Sequence, residues 1–434
     1  MKELNAQDGF TAVDTASDTT IEDGHADLSC HDSFIHGPPH QTFMRLRRED
    51  PVSWCEYAGG AGFWSVTRHE DVSRLLRDYA LMSSAQGIRM EDQTYEEYLA
   101  RRTFQETDPP EHTRTRSVVV KAFTGPVVAK FEPQIRELCD QILDAALAKG
   151  DFDAVADVAR QLPMRMLGRI LGTPDSDLDW LVTKGDQLIA NTDPEYTDVV
   201  LDQADTEAYR LMPFRSPAGA ELFDYAKKLL ASKEKTGDQS GILSLIMRPD
   251  ADGNTISETE LRNFFCLLVA AGNDTTRYSI AAALHALANQ PGLMEQMHGA
   301  DEELWKTAPD EFIRWASPAM YFRRTAIRDS ELRGKTIRAG DKVLLWLVSA
   351  NRDETVFDTP FMVNPARSPN KHLSFGQGGP HVCLGIWLAR LEVRVLLQEF
   401  LKRVRHFEQT GPHAFLRSNF VGGIKRLPVR AVPR

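Results

Sequence analysis

Phe375-Gly376-Gln377-Gly378-Gly379-Pro380-His381-Val382-Cys383-Leu384-Gly385 is the stretch on which the fold turns. Its glycines let backbone come close to a bound group, and its single cysteine stands at the mouth of a helical pattern, Ile386 to Phe400. Three chemistries use such a loop. A dinucleotide loop needs a third glycine where His381 stands and a strand before it, and fails on both. A nucleophilic cysteine needs a base nearby and a helix N-terminus to lower its pKa; no other pattern in the chain adds support for one. A metal-ligating thiolate, held in a tight loop with backbone N–H groups aimed at sulfur, suits haem iron. Those hydrogen bonds temper the thiolate's charge and tune the potential of the metal.

The other four cysteines (Cys30, Cys55, Cys139 and Cys266) are scattered and form no CxxC pair, which argues against a disulfide framework or zinc ribbon. Cys266 reads as a small core residue. A 434-residue chain with 42% apolar and 26% charged residues is ordinary globular protein. The formal charge of −11 argues against nucleic acid, while leaving room for a local basic patch. No apolar run approaches the ~20 residues that cross a bilayer; the longest, Phe264 to Gly272, runs into Asn273 and Asp274. The first 25 residues are acidic, rich in Asp, Thr and Ala, and lack the apolar centre of a signal peptide. They are expected to be a disordered tail on a single domain over residues 26–434, in a cytoplasmic protein.

The pattern is mainly helical with strands toward both ends, an α+β chain with small sheets. Residues 52–67 read as a hairpin turning at Gly59-Gly60, with Trp54 and Trp64 packed in its sheet. Amphipathic periodicity predicts helices over Val128–Ala148 and Ala154–Leu171, and residues 334–348 return to a strand pattern. The strongest helix signal begins with the capping box Ser257-Glu258-Thr259-Glu260 and runs to Gln290, where Pro291-Gly292 stops it. Its centre is Ala270-Ala271-Gly272-Asn273-Asp274-Thr275-Thr276, poor residues for a buried helix. A local rule broken inside a consistent helix marks either a functional site or a satisfied polar kink.

Four motifs, in the family's order, make the chain resemble the cytochrome P450 family over roughly residues 40–430. They are the cysteine loop; Glu311-Phe312-Ile313-Arg314, joined by Arg367 in Asn364-Pro365-Ala366-Arg367; Gly272-Asn273-Asp274-Thr275; and Asp108-Pro109-Pro110-Glu111-His112-Thr113-Arg114-Thr115-Arg116. The resemblance implies a mainly α fold with small β-sheets, and haem b between the long central helix and the helix after the cysteine loop. It implies Cys383 as iron ligand, Asp274 and Thr275 as catalytic acid–alcohol pair, and His112, Arg116, Arg324 and His381 against the haem propionates. Phe375, Gly385 and Ala271 are implied against the porphyrin, and Glu311, Arg314 and Arg367 as a structural ion cluster. One spacing departs from the usual pattern: Phe375 lies eight residues before Cys383, where seven is commoner. The longer loop, with Asn273 to Arg277 and Asn419 to Gly423, is similar to a bacterial subgroup acting on sterols, terpenoids and branched lipids.

By the same resemblance the chain is a monomeric monooxygenase that inserts one oxygen atom from O2 into a C–H bond of a small apolar molecule. Electrons come from a ferredoxin and ferredoxin reductase, docking on the Cys383 side near Lys121, Arg390 and Arg394. Asp274 is implied as the proton gate, and Thr275 as the hydroxyl that steadies the iron-bound oxygen or its water. Val269, Ala270, Ala319, Met320, Tyr321, Phe322, Phe420 and Val421 are the expected substrate pocket, under a lid of residues 84–105 with Met90 and Tyr95. No single charged residue announces a carboxylate pocket, so an uncharged substrate is expected. Two rivals stand beside this reading: a haem–thiolate enzyme of another type (a peroxygenase or oxidative-coupling catalyst) and a non-catalytic haem sensor.

Overall fold

The computed structural model describes residues 25–237, 241–247 and 256–434. Apart from His25, the tail expected over residues 1–25 lies outside them. Strands β1 (Val52–Cys55) and β2 (Phe63–Val66) form the expected antiparallel hairpin, with Val52 opposite Val66 and Trp54 opposite Trp64. The two indole rings meet edge to face at 5.4 Å, although Trp54 stays on the exposed face. The sheet continues with β3 (Met82–Ser83), β4 (Tyr321–Ala326) and β5 (Lys342–Trp346) in the order β1-β2-β5-β4-β3. Only the β2–β5 pair is parallel. β5 has every residue buried, as a central strand must when both faces are covered. The strand pattern over 334–348 splits into Lys335–Ile337 and β5, because Gly340 takes a φ of 92° between them.

The helical part contains α1 (Glu111–Val120), α2 (Glu132–Leu147), α3 (Gln161–Leu171), α4 (Leu178–Ile189), α5 (Pro217–Thr236), α6 (Glu258–Asn289), α7 (Glu302–Ala316) and α8 (Ile386–Arg403). α2 starts four residues later than its periodicity predicted, since Pro133 has no N–H to donate and suits a first turn. The predicted helix over 154–171 opens with a π-helical turn, Val155–Ala159, before α3 proper. α6 is the long helix, opened by the predicted capping box: the Ser257 hydroxyl accepts from the Glu260 N–H at 3.2 Å and the Glu260 carboxylate from the Ser257 N–H at 3.0 Å. Its 32 residues span about 48 Å at 1.5 Å per residue. α3, α4, α5, α7 and α8 all pack on it, so it is buried nearly all round. Among the described residues no helix is long and apolar enough to cross a membrane.

Candidate active site

The cysteine loop and the centre of α6, whose helix packs on α8, are each shaped for a local reason. Gly376 and Gly378 hold φ of 62° and 97°, and any Cβ at Gly379 would collide with the Leu76 carbonyl oxygen. The loop closes on itself through the Cys383 N–H donating to the Phe375 carbonyl at 2.9 Å. Gly385, the N-cap of α8, has open space where a Cβ would stand. Its backbone N–H favours the Cys383 thiolate. Burial raises the Cys383 thiol pKa, against that N–H and the guanidinium groups of Arg116 and Arg390. Phe375 is buried against His372 and Arg390.

Four cationic or basic side chains converge beside this loop. The rings of His112 and His381 lie 4.3 Å apart, Arg116 donates to the Val382 carbonyl at 2.5 Å, and Arg324 donates to the Arg323 carbonyl at 2.8 Å. Neither nitrogen of buried His112 has a hydrogen-bond partner. Neither arginine forms an ion pair with another described residue. The adjacent Asp108 is engaged by Ser83 and the Ser84 N–H. Burial and the arginines push His112 down to about 4 and His381 to about 2, and burial pushes Arg324 down to about 10. Buried cations and donors without anions are costly. This set fits two carboxylates brought by a bound group, as haem propionates are, with a thiolate donor alongside.

A cavity of about 400 Å³ opens at the centre of α6. Of the residues expected in a substrate pocket, Ala270, Ala319, Phe322, Phe420 and Val421 line it, together with Ala271 and Thr275. Val269, Met320 and Tyr321 do not; each is core. Val269 lies one residue, and so about 100° of helix, from Ala270. Met320 and Tyr321 pack inward, and the Tyr321 ring lies on Trp346 and Phe420 while its hydroxyl accepts from the Met90 N–H at 3.0 Å. The expected lid does border the cavity, but through Gly87 to Gln93 and Arg101 to Glu106. Met90 is buried behind it and Tyr95 is 73% exposed outside. The lining also carries charge that the sequence reading did not anticipate: Arg89, Glu91, Arg101, Glu106 and Arg215 among others.

Thr275 donates to the Ala271 carbonyl at 2.7 Å. Asp274 does not reach the cavity. It is fully buried on the side of α6 that faces α4, where Arg277 Nη2 lies 2.8 Å from its Oδ1, off the hydrogen-bonding direction. Arg277 also donates to Asp186 at 2.5 Å, and Arg160 pairs with the same carboxylate. Burial raises Asp274 to about 7; Arg277 opposes this and Asp186 adds to it. Arg277 stands three residues from Asp274, a spacing that could have been read; Asp186, on α4, could not.

Glu311, Arg314 and Arg367 do meet. Glu311 receives two bonds from Arg314 (2.8 and 2.9 Å), one from Arg367 (3.0 Å), and two that the motif did not forecast, from Asn370 (3.0 Å) and the Asn364 N–H (2.8 Å). Of the three expected docking cations, Arg390 is bound to Asp310 and Arg394 to Glu132, whereas Lys121 is exposed.

The model of the cytochrome P450 family matches residues 29–429. The methyl-branched lipid omega-hydroxylase of Mycobacterium tuberculosis is 35% identical, covering 89% of this chain and 90% of that protein. The steroid C26-monooxygenase of Mycolicibacterium smegmatis is 33% identical, with 90% of each covered. The solved structure of Mycobacterium marinum cytochrome P450 CYP268A2 in complex with pseudoionone is similar at a TM-score of 0.82 and 33% identity, covering 90% of this chain and 94% of that one. The chain belongs to the cytochrome P450 family, an oxidoreductase of the monooxygenase type whose cofactor is haem b.

Proposed function

We propose that this enzyme hydroxylates a lipid-like small molecule, a terpenoid, sterol or methyl-branched lipid, with Cys383 as the iron ligand and electrons from a ferredoxin and its reductase. The observation that carries the reading is the pairing of two features on helices α6 and α8, which pack on each other, and on α1 and β4. One is Cys383 with the cluster of His112, Arg116, Arg324 and His381, whose arginines are ion-paired with no described residue. The other is the cavity, which opens onto Ala271 and Thr275. Haem held there supplies the activation of O2 and the transfer of one of its oxygen atoms.

The chain's own residues do the rest. Cys383 gives its sulfur to the iron, and the Gly385 N–H tempers that charge. Arg116 and Arg324 hold carboxylates through charge-assisted bonds. Thr275 keeps a proton at Oγ1 in reach of the cavity, and Asp274, poised near neutral pH, replenishes it from behind. Two named relatives act on a methyl-branched lipid and a steroid, which supports a lipid-like substrate here. A haem sensor would need neither the acid–alcohol pair nor a cavity of about 400 Å³.

Cys383→Ser tests the assignment. The variant is expected to lose the red-shifted ferrous–CO band that thiolate ligation produces, because a serine oxygen is the poorer donor. A wild-type band in that variant means that another residue ligates the iron.

A further inference from the structure

The cavity is polar at the end formed by the 87–93 segment and His31. Five buried polar atoms in its lining find no hydrogen-bond partner in the protein: Arg89 Nε, Glu91 Oε2, Gln93 Nε2, Arg215 Nε and Asn263 Oδ1. Leaving such an atom unpaired costs its full desolvation. A core collects five of them around one space only where bound water or a ligand meets them.

His31 defines the chemistry more sharply. It comes from the short helical turn His31–Phe34 near the start of the described chain, far in sequence from the rest of the cavity. Its Nδ1 accepts the Asn419 backbone N–H at 3.2 Å. A neutral imidazole that accepts at Nδ1 carries its proton at Nε2, and burial keeps this ring neutral by lowering its pKa. Nε2 is therefore a fixed donor, and it has no partner among the described residues. Beside it Arg89 Nη2 donates to Glu91 Oε1 at 3.4 Å, which leaves Glu91 Oε2 without a hydrogen bond, and the Arg89 guanidinium rests 5.0 Å over the Phe420 ring. A donor from His31 and an acceptor from Glu91 thus face the same space.

We propose that the substrate is amphiphilic, and that His31 and Glu91 recognise an uncharged oxygen function, a hydroxyl above all, at the end remote from the hydroxylated carbon. A hydroxyl can accept from His31 Nε2 and donate to Glu91 at once. A carboxylate cannot donate, and it would enter a lining with four carboxylates (Glu91, Asp92, Glu106, Asp202) against three guanidinium groups. A hydrocarbon end leaves the donors and acceptors unpaired, the situation in which sites built for a hydroxyl discriminate most strongly.

This inference rests on the reading that haem occupies the Cys383 side. Its test uses holoenzyme and imidazoles carrying an alkyl chain of graded length that ends in methyl, hydroxyl or carboxylate. The imidazole nitrogen anchors each probe on the iron, and the shift of the haem absorption band reports its Kd. At the chain length that spans the cavity, the hydroxyl-ended probe is expected to bind about tenfold more tightly than the methyl-ended one, with the carboxylate-ended probe weaker than the hydroxyl. His31→Phe should abolish the hydroxyl preference. Glu91→Gln keeps the shape and should improve the carboxylate-ended probe selectively, which decides the matter even where His31→Phe folds poorly. Equal Kd values for the three end groups at every length overturn the inference and leave the haem reading standing. A carboxylate-ended probe that binds tightest also overturns it. Absence of any band shift with all probes takes down both readings.

Discussion

Asp274 and Thr275 are neighbours in sequence but look in different directions, because one residue turns a helix by about 100°. Thr275 lines the cavity, while Asp274 is sealed behind it with Arg277 and Asp186. A carboxyl raised to about 7 by burial can hold and release a proton at neutral pH. The polar centre of α6 is thus a two-sided device, and the two residues should fail differently. Thr275→Ala keeps the helix and the cofactor, so substrate-induced spin shifts should persist while product formed per NADPH consumed drops and peroxide rises. Asp274→Asn should slow turnover about 10- to 100-fold at neutral pH and erase an inflection near pH 7 in the turnover profile. Unchanged coupling in Thr275→Ala would remove it from proton delivery. Should both variants merely lose stability at constant product per electron, the pair only satisfies the helix centre.

Among elements, α7 carries the most concentrated electrostatic joint. Glu311 and Arg314 are wholly buried, and Glu311 gathers five donors from α7 and the 364–370 segment. Glu311→Ala leaves the charges of Arg314 and Arg367 buried without a carboxylate, although Arg314 still donates to the Asn351, Pro360 and Met362 carbonyls, a loss of about 3–5 kcal/mol; yield of haem-loaded protein and the urea midpoint should both fall. α8 holds a different buried carboxyl. Glu392 is 1% exposed and ion-paired with no described residue, and burial raises its pKa well above the usual 4.5. The folded state keeps a proton that the unfolded chain gives up above about 4.5, so this group makes stability fall as pH rises. Glu392→Gln should therefore flatten the decline of thermal midpoint between about pH 5 and pH 8; an unchanged slope would show that the carboxyl ionises freely. The ion cluster, the capping box and the cysteine loop were legible because each is a local spacing with one geometric solution. The cavity wall was legible only in part. Helical period separates Val269 from Ala270, but which of them faces the cavity is set by packing of α6 against its neighbours, and no spacing encodes it. The charged lining, the Asp186 contact and the arrival of His31 belong to the same class.

At the scale of the whole molecule, the formal charge of −11 works against an acidic electron donor. The proposed docking of an acidic ferredoxin on the Cys383 side would therefore have to use cations that the protein leaves free there. Arg390 and Arg394 do not qualify, since Asp310 holds the first at 2.7 Å and Glu132 the second at 2.8 Å. Lys121 does: it follows α1 directly, is exposed, and forms no ion pair with a described residue. It sits close to the start of α8, where a Cβ at nearby Gly125 would touch the Trp387 ring at 3.4 Å. Surface attraction of this kind is screened over about 10 Å at 0.1 M salt, so the rate of reduction by an acidic ferredoxin should fall as salt rises. Lys121→Glu should lower that rate about 3- to 10-fold at low salt and flatten its salt dependence. Arg390→Ala, which breaks a pair already neutralised, should leave the salt slope close to wild type. A rate indifferent to salt in the wild type would exclude electrostatic steering by this face. A salt slope that survives Lys121→Glu would assign the steering to other cations.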